Sequence, residues 1–122
     1  MKILLVDDSR LIRMKLKKIL SDEYEIVEAE DGNKAFIKVV SEQPDCIVTD
    51  LLMPGMDGFE FLEKLRKKKL EYPVVVLTAD IQNQTRDRCI SLGAVEVLNK
   101  PPKEEKLKTA ITSAIEGDTK DA

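Results

Sequence analysis

Histidine is absent from the 122-residue chain, which removes the commonest general base, the commonest metal ligand and any phosphohistidine role. Whatever chemistry it supports uses carboxylates, hydroxyls and amines. Only two cysteines occur, Cys46 in an apolar run and Cys89 in a later, polar stretch. They form neither a disulfide framework nor a closely spaced metal motif and read as free thiols. No apolar run approaches membrane-spanning length. The chain enters an apolar run at Lys2-Ile3-Leu4-Leu5-Val6 without a leader of signal-peptide form. A cytoplasmic location without membrane insertion is the expectation. A net charge of −3 disfavours a general nucleic-acid binder. Neither Gly-x-Gly-x-x-Gly nor a P-loop follows the first apolar run, which argues against nucleotide binding.

What is present suits one globular domain: 43% hydrophobic and 35% charged residues. Short apolar runs at Ile3 to Val6, Ile26 to Val27, Cys46 to Val48, Val74 to Leu77 and Val95 to Leu98 read as strands. Between them lie helical stripes: Leu11, Ile12, Leu16, Ile19 and Leu20; Ala35, Phe36, Val39 and Val40; Phe59, Leu62 and Leu65. The clearest closes the chain at Leu107, Ala110, Ile111, Ala114 and Ile115. Alternating strands and helices imply a doubly wound α/β fold with a five-stranded parallel sheet and five helices. The first, third and fourth runs are continuously apolar, as strands covered on both faces must be. The second and fifth carry Glu25, Glu28 and Glu96, which marks edge strands. The strand order 2-1-3-4-5 (flavodoxin-like) follows. Residues 1–116 read as the domain and 117–122 as a polar tail. The fourth helix is polar almost all round, with apolar residues only at Ile81, Cys89, Ile90 and Leu92. It is expected to be the most mobile.

In this fold ligands bind outside the carboxyl ends of the strands, at the point where strand order reverses. That point lies between the first and third strands, where Asp7, Asp8 and Asp50 stand; Thr78 and Lys100 end the fourth and fifth. Carboxylates gathered in one corner repel one another, and a bound cation is the simplest way to keep them ionised. All-oxygen ligation suits Mg²⁺. An aspartate can accept a phosphoryl group as an acyl phosphate. Lys100 and Thr78 offer an ammonium and a hydroxyl to the phosphoryl oxygens. Asp57, in Met56-Asp57-Gly58-Phe59, reads as a helix N-cap instead. Lys67-Lys68-Lys69 complements the end of a helix dipole.

Four motifs together resemble the response-regulator receiver family, most of all its single-domain, CheY-like chemotaxis type. They are Val6-Asp7-Asp8-Ser9, the run Thr49-Asp50-Leu51-Leu52-Met53-Pro54-Gly55-Met56-Asp57-Gly58, Leu77-Thr78-Ala79 and Asn99-Lys100-Pro101. The resemblance spans roughly residues 2 to 116. It implies that Asp50 is the phosphoacceptor and that Mg²⁺ is held by Asp7, Asp8, Asp50 and the backbone carbonyl of Leu52. Lys100 would pair with the phosphoryl group, Thr78 would move to bond it, and Lys100-Pro101 would be cis. It further implies a phosphodonor histidine kinase, a target bound through the fourth helix, fifth strand and fifth helix, and a phosphatase. The chain would be a switch that promotes its own phosphorylation and dephosphorylation, not a turnover enzyme.

The chain departs from the family at Val97, where members usually carry Tyr or Phe as a reporter of phosphorylation. Without that ring, Thr78 and the packing of the fourth helix and fifth strand must report the state. Leu52 and Asp80 flank the phosphoryl position: Leu52 can shield it, and Asp80 can orient or repel an attacking water. Two other functions compete. A phosphate sink or relay intermediate would use the same chemistry without an effector target. A haloacid-dehalogenase-like phosphatase needs a second aspartate two residues after the first, where Leu52 stands.

Overall fold

The apolar runs form strands β1 (Lys2–Val6), β2 (Glu25–Ala29), β3 (Cys46–Asp50), β4 (Val74–Thr78) and β5 (Glu96–Asn99). The segments between and after them form helices α1 (Arg10–Leu20), α2 (Gly32–Glu42), α3 (Gly58–Lys67), α4 (Asn83–Ser91) and α5 (Glu104–Lys120). The computed structural model describes residues 1–80 and 82–120, and residues 118–120 by their backbone alone. All strand pairs are parallel, and the order is β2-β1-β3-β4-β5. Strands β3 and β4 are buried along their whole length, whereas β2 and β5 are partly open, as their glutamates imply.

Successive strand side chains point to opposite faces, so the sheet feeds two cores. Leu4, Val6, Ile47, Val74 and Val76 meet Ala35 and Val39 of α2, Phe61, Leu62 and Leu65 of α3, and Cys89 of α4. On the other face Ile3, Leu5, Val48, Val75 and Leu77 meet Leu16 and Leu20 of α1 and Leu107, Ile111 and Ala114 of α5. Helices thus cover both faces, as right-handed crossovers require.

Four details differ from the sequence pattern. Leu11 and Val40, counted in the stripes, are 60% and 55% exposed. At 3.6 residues per turn Leu11 lies about 140° round the helix from Leu16, and Val40 about 100° from Val39, which carries both off the buried side. Phe61, outside the expected α3 stripe, is fully buried and heads the large core side chains. The backbone of α5 continues to Lys120, past Gly117 where a tail is expected. A single glycine costs a helix about 1 kcal/mol and does not by itself end it.

Helix α4 buries only Cys89 among its described residues, and Ile81 lies outside the described residues. Polar contacts hold it in place of a broad apolar face. The Arg66 guanidinium donates to the Ser91 carbonyl at 2.9 Å, and Arg88 stacks 3.9 Å from the centroid of Phe59. Arg86 reaches the Val97 carbonyl and the Glu96 carboxylate on β5, each at 3.3 Å. Among the described residues, no helix is long and apolar enough to cross a membrane.

Candidate functional site

The carboxyl ends of β1 and β3 bring Asp7, Asp8 and Asp50 together: one oxygen of each lies within 4.8 Å of the others. Asp7 and Asp50 are buried, at 2% and 7% exposure, while Asp8 faces solvent. Each buried carboxylate is held by a neighbouring amide. Asp7 Oδ1 accepts from the Ser9 N–H at 2.8 Å, and Asp50 Oδ1 accepts from the Leu51 N–H at 2.8 Å. Ser9 in turn caps α1, its hydroxyl accepting from the Ile12 N–H. The turn that starts the helix therefore also aims Asp7.

Lys100 enters this corner from the end of β5. Its Nζ donates to Asp7 Oδ2 at 2.7 Å and to Asp50 Oδ2 at 3.0 Å. Burial alone would lower the pKa of the ammonium, but the hydrogen bonds and charges of the two carboxylates outweigh it and raise the pKa above the ordinary lysine value. The Lys100-Pro101 peptide is cis, as expected.

Thr78 ends β4. Asp50 stands opposite Leu77 in the β3–β4 register, so Thr78 is one residue further toward the same rim. Its carbonyl accepts from the Lys100 N–H at 2.9 Å, and its buried hydroxyl accepts from the Asp80 N–H at 3.0 Å. Leu52 follows β3 and is 76% exposed. Asp57 is an N-cap: its Oδ1 accepts from the Glu60 N–H at 2.9 Å and opens α3. A Cβ on the next residue, Gly58, would stand 2.6 Å from the Asp50 carbonyl oxygen and 2.8 Å from Leu51 Cα. Only glycine lets α3 start so close to the Asp50 backbone.

One contributor escapes sequence reasoning. Arg13 donates from Nη1 to the Asp7 carbonyl at 2.5 Å and pairs through Nε with Glu28 at 3.2 Å. It is one of five cations on α1. Asp80, expected to act on water, has both carboxylate oxygens engaged. Oδ1 accepts from the Gln82 N–H at 3.0 Å and Oδ2 from the Thr85 hydroxyl at 2.7 Å. These bonds, the Thr85 hydroxyl first, lower its pKa below the usual aspartate value.

Three carboxylates drawn to one point, two of them buried, form an oxygen-only donor set that fits a hard divalent cation such as Mg²⁺. That the Lys100 ammonium settles between Asp7 and Asp50 is the same demand for positive charge, met by the chain itself.

The family model of the response regulator receiver domain matches residues 3–112. The chain belongs to that family. Receiver domains act as phosphoacceptor switches in two-component systems, with a histidine kinase as phosphodonor, and generally bind Mg²⁺ at an acidic pocket. Among curated proteins, this receiver domain is 38% identical over 101 residues to the alkaline phosphatase synthesis transcriptional regulatory protein PhoP of Bacillus subtilis, covering 82% of the chain and 42% of PhoP. The chain spans about half the length of the curated relatives it matches. Among solved structures, the receiver domain of the Francisella response regulator 1452 superposes with a TM-score of 0.91 at 26% identity, covering 96% of this chain and 98% of that one. The chemotaxis protein CheY4 of Vibrio cholerae superposes with a TM-score of 0.85 at 33% identity, over 93% of this chain and 97% of that one.

Proposed function

We propose that this receiver domain takes a phosphoryl group from a kinase phosphohistidine onto the carboxylate of Asp50, with Mg²⁺ held by Asp7, Asp8, Asp50 and the Leu52 carbonyl. The observation that carries the reading is the approach of Lys100 Nζ to the buried carboxylates of both Asp7 and Asp50. An ammonium so placed can move from Asp50 to an incoming phosphoryl oxygen without leaving the site. A bound Mg²⁺ would offset repulsion between nucleophile and phosphoryl group and spread the transition-state charge. Asp50 forms the new oxygen–phosphorus bond as the phosphorus–nitrogen bond to the donor histidine breaks. Thr78 turns its hydroxyl from the Asp80 N–H to a phosphoryl oxygen. Buried Asp7 keeps its aim through Ser9 and Arg13.

Output is read as phosphorylation-dependent protein binding through the α4, β5 and α5 surface. A cavity of about 760 Å³ lies there, lined in part by Arg86, Glu96, Lys103 and Lys106. A chemotaxis target is the finer reading, supported by the likeness to CheY4. A second reading has its own support: PhoP is by name a transcriptional regulator and is more than twice the length matched. On that reading the same surface governs an attached output domain.

The test is incubation with Mg²⁺ and a small phosphodonor such as acetyl phosphate, followed by intact mass. An acid-labile phosphate adduct that disappears in Asp50→Ala is expected. No adduct, or one unchanged by Asp50→Ala, rejects the assignment.

A further inference from the structure

Residues 52 to 56 link β3 to the cap of α3, and no hydrogen bond among the described residues reaches them. Only the ends of this segment are tied. The Gly58 N–H donates to the Leu51 carbonyl at 2.9 Å, and Asp57 caps α3. Between those ends the loop is held by packing. Met53 is 8% exposed within the core that faces α2 and α3, and partly buried Met56 packs against the same core. Met56 rests on Gly32, the buried first residue of α2. A Cβ at Gly32 would stand 2.6 Å from the Met56 carbonyl oxygen and 2.8 Å from Met56 Cβ and Cγ. Carbon atoms pack at about 3.5–4.0 Å, so only glycine lets the loop settle this far onto the helix. The seat is itself fixed to the site. Asp31 Oδ1 accepts from the Lys34 N–H at 2.8 Å and opens α2, and the Asp7 N–H donates at 3.1 Å to the carbonyl of Ala29, three residues before Gly32.

We propose that Gly32 is a positioning residue of the metal site. The seating of Met56 on it sets the depth of the loop that carries the Leu52 carbonyl, and so aligns that carbonyl with Asp7, Asp8 and Asp50. A backbone carbonyl can be aimed only by its own chain, and this stretch of chain has no hydrogen bond to aim it. Clearing a Cβ at Gly32 would lift the loop by roughly 1 Å. Mg²⁺ demands near-ideal octahedral geometry and tolerates such a shift poorly. The inference rests on the Mg²⁺ reading above and extends it to α2, an element that supplies no ligand.

Gly32→Ala and Met56→Ala, singly and together on the full chain, test the seat by Mg²⁺ titration followed through amide chemical shifts. Each single change is expected to weaken Mg²⁺ binding about tenfold, the scale of losing a contact that orients a ligand. Both changes break one contact, so the double variant is expected to bind about as weakly as either single one rather than about a hundredfold more weakly than the unaltered chain. In the metal-free proteins the Leu52 and Met53 amide shifts are expected to move. Phosphorylation of either variant is expected to reach the unaltered maximum rate once Mg²⁺ saturates, with only the half-saturating concentration raised. Unmoved Leu52 and Met53 shifts in Gly32→Ala, unchanged Mg²⁺ affinity in the folded variants, or independent effects in the double variant overturn the proposal. Should Gly32→Ala fail to fold, Met56→Ala decides alone: weaker Mg²⁺ binding supports the seat and unchanged binding overturns it. An unaltered chain that binds no Mg²⁺ overturns the metal reading and the proposal with it. An unaltered chain that binds Mg²⁺ no better than its variants overturns the seat alone.

Discussion

The ammonium of Lys100 lies 2.7 Å from Asp7 Oδ2, joining residues 93 positions apart at the rim of the sheet. Both side chains are largely buried, Lys100 at 15% and Asp7 at 3% exposure. Their bond is therefore less screened than a surface ion pair.

Removing this ammonium leaves two carboxylates facing each other. Lys100→Met is expected to lower stability in the absence of divalent ions by about 3 kcal/mol, the cost of breaking a buried pair from one side. It should also tighten Mg²⁺ binding about fivefold, since about 1 kcal/mol of repulsion disappears even at the dielectric of water. Urea denaturation with and without Mg²⁺, and calorimetric titration, measure the two effects. Weaker Mg²⁺ binding in Lys100→Met would count against the lysine as a competing cation.

Gly58 touches the site through its backbone. Gly58→Ala places a Cβ 2.6 Å from the Asp50 carbonyl oxygen. A cost of about 1–3 kcal/mol is expected from overpacking, together with slower phosphorylation because Asp50 itself is displaced. Thermal melts and the intact-mass time course check both; an alanine variant with unaltered rate and stability would show that the α3 start can retreat freely.

Helix α4 should exchange its amide hydrogens fastest of the five helices, because polar contacts with Arg66, Arg86 and Arg88 replace apolar burial. Native-state exchange decides the point. Finding α4 the best protected would refute it.

Cys46 predicts an alkaline loss of stability. Burial pushes its thiol up to about 12, so the folded state holds the proton that an unfolded thiol releases near 9. The contribution is complete below the unfolded pKa and declines as pH rises toward the folded one, by about 1.4 kcal/mol per pH unit inside that window. Lys100 also has a raised pKa, and its share is lost only above the ordinary lysine range. Stability at pH 9 to 10 should therefore fall in the unaltered chain and fall less steeply in Cys46→Val, where the Cys89 thiol, also pushed up by burial, still contributes. An equal slope in both would remove Cys46 as the cause.

The strand order was legible in the chain because two-sided burial demands continuous apolar runs, and the glutamates of β2 and β5 mark the edges. The corner that gathers Asp7, Asp8 and Asp50 was legible for a related reason: residues ending parallel strands share one rim whatever their separation in sequence. Local chemistry also announced Asp57 as a cap, while the cis Lys100-Pro101 peptide was implied by the family resemblance. Helical periodicity names a buried face but not its width, so Leu11 and Val40 fell outside it and Phe61 within. Partner choice among many similar charges was equally hidden. Nothing in the sequence of α1 tells which of its cations reaches the Asp7 carbonyl, and only the packing of α1 beside β2 selects Arg13. The two bonds of Asp80 depend on how the turn after β4 folds back onto α4, a matter of distance in space that residue order does not encode.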